Sequence, residues 1–177
     1  MRVMQLRSAI LCGISLALTT AVVLPQKVVW RQATTAELAA VLPSRATVES
    51  EHIETEMRTA SGIVDERGRF IAGVVLITAG YSAEGKYSHY LIVQVPVDIG
   101  GVVLKPGEYA FGWTRVNGEE SLSVHFNQAA TGAPVGTADA RPVAGSTRVE
   151  SLHIWPPGEK AIIQIGRFGI PYKMGEE

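Results

Sequence analysis

Four histidines carry the obvious acid–base and metal-binding chemistry of this chain: His52, His89, His125 and His153. A catalytic zinc needs three protein ligands converging on one ion, often announced by a His-Glu-x-x-His helix. Neither that pattern nor a His-x-His pair occurs, so the sequence assigns no metal and no cofactor. Gly80-Tyr81-Ser82-Ala83-Glu84-Gly85 approaches a nucleophile elbow, which holds a serine on a strained strand-to-helix turn. Its second glycine falls one residue late and strand-like sequence follows, so a hairpin loop is the better reading. Gly100-Gly101 and Gly132-x-x-x-Gly136 lack the spacings that cradle phosphates. Asp98 and Glu108 bracket residues 99–107, but no spacing marks them as a glycosidase pair.

Aromatic residues form the second set of candidates. Tyr109, Phe111 and Trp113 stand at i, i+2 and i+4, so on a strand their rings share one face. Exposed, they make a platform for a sugar ring or an apolar partner; buried, they are core. Trp155, just before Pro156, falls at a strand end, and His125 falls by alternation on the polar face of its strand. Tyr109, Phe111, Trp113, His125 and Trp155 are therefore the candidate ligand-binding residues. Arg167, between Gly166 and Phe168, suits a β-bulge that would re-aim its side chain.

The elements that must position these residues are mostly strands. Thr34-x-x-Glu37 is a capping box, and Leu38, Val41 and Leu42 follow at helical spacing before Pro43, which predicts a helix over 35–42. Thr47 to Met57 is glutamate-rich and reads as a polar edge strand. Phe70–Thr78 and Tyr87–Val97 read as inner strands, with Pro96 confined to an end or a bulge. Glu108–Val116 and Glu119–Phe126 flank Asn117-Gly118, the signature of a type I′ hairpin. Residues 127–148 are dominated by Ala, Gly, Thr and Pro and read as a long loop or two very short strands. Strands resume at 149–155 and 161–165, joined by Pro156-Pro157-Gly158-Glu159, and a last one covers 168–172. Eight or nine strands with one short N-terminal helix predict an all-β fold, an antiparallel β-sandwich or partly open barrel. A parallel α/β fold would need long amphipathic helices, and none is visible.

Composition narrows the function classes. The 177 residues include 16 basic and 17 acidic side chains, without a basic run, which argues against a charge-driven nucleic-acid binder. Hydrophobic residues make up 46%, enough for a core and against disorder throughout. Arg2 and Arg7, the apolar stretch Ser8–Leu18 and the small residues Thr19 to Ala21 read as a signal peptide over 1–21. Residues 22–45 then read as linker and short helix, and 46–177 as the β domain. The lone Cys12 lies in the leader and follows Leu11, which argues against a lipoprotein. The alternative is a retained anchor, since residues 8–24 carry no charge and reach the low end of the ~17–25 that span a bilayer.

Gly101-Val102-Val103-Leu104-Lys105-Pro106-Gly107-Glu108-Tyr109 leads into a strand, and Pro106-Gly107 suits the centre of a type II turn. This stretch resembles the strand-initiating motif of secreted bacterial β-sandwich domains, both prealbumin-like carboxypeptidase regulatory domains and a secreted family of unknown function. The resemblance covers about nine residues and implies an extracytoplasmic β-sandwich, with no catalytic residues.

Three functions are carried forward. The first is an exported, periplasmic or extracellular, non-enzymatic module that binds an envelope protein, a glycan or a small apolar ligand, with 127–148 and the Tyr109–Trp113 strand as the places to look. The second is a small exported hydrolase with a dispersed site using His89 or His125. The third is a membrane-anchored structural protein of the envelope.

Overall fold

A computed structural model describes residues 28–78, 87–116, 120–145 and 148–175. The expected leader, the Gly80–Gly85 loop and the Asn117-Gly118 turn lie outside these residues. In chain order the elements are β1 (Trp30–Gln32), α1 (Thr35–Val41), β2 (Arg45–Val48), β3 (Glu51–Asp65), β4 (Phe70–Leu76), β5 (His89–Val93) and β6 (Val97–Ile99). There follow β7 (Val102–Leu104), β8 (Gly107–Arg115), β9 (Leu122–Gln128), β10 (Pro134–Pro142), β11 (Glu150–Ile154), β12 (Ile162–Gly166) and β13 (Phe168–Met174).

The strands form one antiparallel sheet in the order β1-β3-β4-β5-β8-β9-β10-β13-β12-β11, with β2 on β3 and the β6–β7 pair joined to β13. β11 returns to lie against β3 and β4, so the sheet is nearly closed into a barrel or sandwich. No backbone ladder joins β11 to β3 among the described residues. The all-β antiparallel fold with one short helix is thus as the sequence reads.

Alternation divides the apolar residues between two cores. On β4, Ile71 points inward while Ala72, Val74 and Leu76 point outward. Inside lie Leu91, Tyr109, Phe111, Phe126, Ile154 and Ile170 with their neighbours. Outside, Leu38 and Leu42 from the helical segment, with Ala46 and Val48 of β2, cover the outer face of β3, β4 and β5. Each large apolar side chain buried this way contributes about 1.5–3 kcal/mol.

The helix is held at its start. Thr34 Oγ1 accepts from the Glu37 amide at 3.3 Å, and the Glu37 carboxylate accepts from the Thr34 amide at 2.8 Å. Arg31 of β1 clamps the same carboxylate at 2.9 and 2.6 Å. The Arg31 hydrogen bonds, followed by those from Thr34, hold the Glu37 carboxyl down at about 2.

Several expectations are corrected. Among the described residues there are thirteen strands, where eight or nine were expected. Residues 30–32, read as linker, pair with Ile63–Asp65 as β1. The edge strand expected over 47–57 is two strands, because Glu49 turns the chain at φ 55°. β3 is not an edge either, since it pairs with β1, β2 and β4. The 87–97 strand stops at Val93, and β6 begins after Pro96 on a different partner.

Residues 134–142, read as loop or short strands, form a nine-residue strand between β9 and β13. Gly136 and Ala138 are small there because another layer lies on them. A Cβ on Gly136 would stand 2.9 Å from Val102 of β7, closer than atoms tolerate. Gly107 is absent from the positive-φ positions and opens β8 directly, so Pro106-Gly107 is not a type II turn. Instead the Tyr109 hydroxyl donates back to the Lys105 carbonyl at 2.7 Å and fixes the start of β8. Arg167 sits at a hairpin tip rather than in a bulge, because Ile165 pairs directly with Phe168. Gly166 alone takes positive φ there, at 60°, as the first central residue of a type II′ turn does.

Candidate functional site

The β8–β9 register fixes what the aromatic stripe becomes. Phe111 pairs with Phe126, Trp113 with Val124 and Arg115 with Leu122. Tyr109, Phe111, Trp113 and Arg115 therefore follow one another along the interior face of β8. The barrel is filled at the first two positions. Tyr109 is buried, and Phe111 lies between His89, stacked at 4.7 Å, and Phe126 at 5.4 Å. Neither ring offers a surface to a ligand.

Trp113 is different. It shares the interior face but stands at the end of the barrel, and it stays 36% exposed. Leu122, Val149, Ile165 and Phe168 join it around an open cleft of about 260 Å³. Two cations sit on this rim. The Arg115 guanidinium carbon is 5.9 Å from the centre of the Phe168 ring, and that of Arg167 is 5.3 Å from it. Arg167 also meets Glu120 at 3.3 Å, with both side chains largely exposed. Exposed apolar side chains lining a concave end are a feature that ligand-binding clefts share.

Sequence reasoning stopped the stripe at the last aromatic. Continuing the same parity by one step reaches Arg115, so that residue was legible. Ile165 and Phe168 come from a separate hairpin and had no local signal.

The remaining candidates lie elsewhere. Val149 precedes β11 and lines the cleft, whereas Trp155 follows β11 at its opposite end. Trp155 is occupied by its neighbours. Its Nε1 donates to Gln164 at 3.1 Å, Lys160 Nζ lies 3.9 Å above its ring, and the His153 ring is 4.2 Å away. His125 is on the outer face of β9, between the hydroxyls of Thr114 at 3.3 Å and Thr137 at 3.2 Å. His52 is exposed beside Thr47.

A second cleft, of about 250 Å³, follows the seam between β3 and β11 and is lined by Arg58, Thr59, Ser61, Glu150 and His153 among others. Here the polar groups bond one another. Arg58 pairs with Glu56 at 2.9 Å and Arg148 with Glu150 at 2.6 Å. Ser61 Oγ accepts from the Ile154 amide at 2.9 Å, which ties β3 to β11. From inside the barrel, His89 Nε2 lies 3.3 Å from the Ser151 carbonyl, and its Nδ1 lies 2.8 Å from Ser88 Oγ. A carbonyl only accepts, so Nε2 carries the proton and Nδ1 accepts from Ser88. Burial of the ring pushes the His89 pKa down to about 4.

The Ser88–His89 contact has half the geometry of a nucleophile and its base. The far nitrogen meets a backbone carbonyl instead of a carboxylate, and the imidazole is buried under Phe111. Among the described residues, no group of three or more His, Cys, Asp or Glu side chains is placed to hold a metal ion. Among them also, no helix is long and apolar enough to cross a membrane. Comparison with protein-family models, with curated proteins and with solved structures finds no match.

Proposed function

We propose that this chain is an exported, non-enzymatic binding module of the cell envelope, with its site at the end of the barrel. It takes a small ligand with an apolar body. The observation that carries the reading is Trp113, which strand parity aims inward yet leaves exposed beside a cleft walled by Leu122, Ile165 and Phe168. An indole in that position adds binding area at little entropic cost, because it is already fixed by its strand. The basic, apolar and small-residue succession over 1–21 supports export. Seam histidines engaged in structural contacts favour binding over hydrolysis.

Native mass spectrometry of the protein isolated from its own envelope or culture fluid tests this. The expected species begins near Val22 and carries a small organic adduct. Trp113→Ala keeps the mature mass and loses the adduct. A bare chain at the mature mass argues against the binding reading. A chain that retains Met1 points to an anchored component instead.

A further inference from the structure

We infer that the ligand of the barrel mouth is a small amphipathic carboxylate, an aryl or short alkyl acid, and this rests on the reading of the mouth as the binding site. The walls of the cleft are carbon, from Trp113, Leu122, Val149, Ile165 and Phe168. The charged side chains that line it, Arg115 and Arg167, are both cations. Their guanidinium carbons lie 5.9 and 5.3 Å from the same Phe168 ring centre. Stacking on a ring face favours each cation, but it also holds two like charges at one rim.

Among the described residues their charge is not balanced. Arg167 has Glu120 at 3.3 Å, an exposed contact of the kind that contributes little and yields easily. Arg115 forms no ion pair with a described residue. Among the described residues, one positive charge is therefore left over beside an apolar cavity. That surplus matches a singly charged carboxylate better than a doubly charged phosphate. The planar guanidinium fork also matches a carboxylate in shape, so that two parallel hydrogen bonds form at once. A cleft of about 260 Å³ falls below the usual volume for drug-sized ligands. A single ring or a short chain fills it, lying against Trp113 and Ile165 with its acid end turned to the arginines.

The test is an amide-resolved NMR titration of the purified protein with 3-phenylpropionate and with its neutral isostere, 3-phenylpropanamide. The expected result is that the acid binds about tenfold or more tighter than the amide, the range for a hydrogen bond to a charged group. Shifts should centre on Trp113, Leu122, Ile165 and Phe168. Arg115→Gln should bring the acid down to the affinity of the amide.

Equal binding of acid and amide at these residues overturns the carboxylate inference and leaves the mouth as an apolar site. Binding of neither, or shifts elsewhere, overturns both. A third arm uses phosphatidylcholine vesicles containing phosphatidylglycerol. Sedimentation with these vesicles, abolished in Arg115→Gln while the free acid causes no shifts, would make the rim a lipid-surface contact and overturn the proposal.

Discussion

The seam and the mouth are both clefts of about 250–260 Å³ at places where the sheet does not continue, yet they are built on opposite terms. At the seam, donors and acceptors find one another: Ser61 with the Ile154 amide, His89 with Ser151, Arg58 with Glu56. At the mouth, Trp113, Val149 and the guanidiniums of Arg115 and Arg167 are left facing outward. The difference teaches that a cavity alone does not mark a binding site. What matters is whether its walls are already satisfied by the protein. The seam closes the barrel, and changes there should alter stability. The mouth is a surface feature, and changes there should alter binding while stability holds.

The largest effect should come from His89. His89→Ala removes the ring stacked on Phe111 and leaves the Ser151 carbonyl without its side-chain donor. A cavity and a lost hydrogen bond together cost about 3–4 kcal/mol. Urea denaturation should show this as a lower midpoint with an unchanged slope. A loss below about 0.5 kcal/mol, the level of ordinary surface changes, would mean that His89 does not close the seam.

The second effect is pH dependence of the same group. In the unfolded chain His89 titrates near 6.5, and in the folded chain near 4. The unfolded state therefore binds more protons between those values. Stability is full above about 6.5 and falls as pH drops toward 4, by about 3 kcal/mol at most. His89→Gln keeps an amide donor but cannot titrate, so most of that fall should vanish, leaving the shallower one from His153, whose pKa burial also lowers. The Glu37 carboxyl, held down at about 2 by Arg31 and Thr34, loses its contribution lower, as pH falls from about 4.5. The two titrations are therefore separable in an acid melt followed from pH 8. An equally steep slope in His89→Gln between pH 6.5 and 4 would assign that window to other groups.

How much of this was legible follows from how local each cause is. The capping box at Thr34–Glu37 needs only its own few residues, and the helix stands where the sequence puts it. The β8–β9 pairing keeps the expected alternation, with Leu122, Val124 and Phe126 buried. β10 was hidden because its Gly136 answers to Val102 on a distant hairpin, a contact no local pattern records. The Glu49 turn was hidden for a similar reason. A glutamate seldom takes positive φ, and this one is held through its carboxylate by the Tyr87 hydroxyl. At the site, parity reached Trp113 from sequence alone and could have reached Arg115. Parity could not say where the barrel ends, and that decides which ring of the stripe is core and which is free.

The smallest of the three effects tests the seam from its other side. Ser61 Oγ accepts from the Ile154 amide at 2.9 Å and from Gln32 Nε2 at 3.4 Å. Trp155 donates its amide to Ile162, so Ile154, one residue earlier, turns its own amide away from β12 and toward β3. Ser61→Ala leaves that buried N–H with no acceptor, and the expected loss is about 1–2 kcal/mol. Hydrogen exchange gives a sharper readout than the midpoint. The Ile154 amide should exchange faster than the loss of global stability accounts for, while amides of the β8–β9 ladder slow or quicken only with the global value. Carboxylate binding at the mouth should be unchanged in the same variant. If Ser61→Ala weakened that binding as much as Arg115→Gln does, seam and mouth would be one coupled structure, and the division between them would fail.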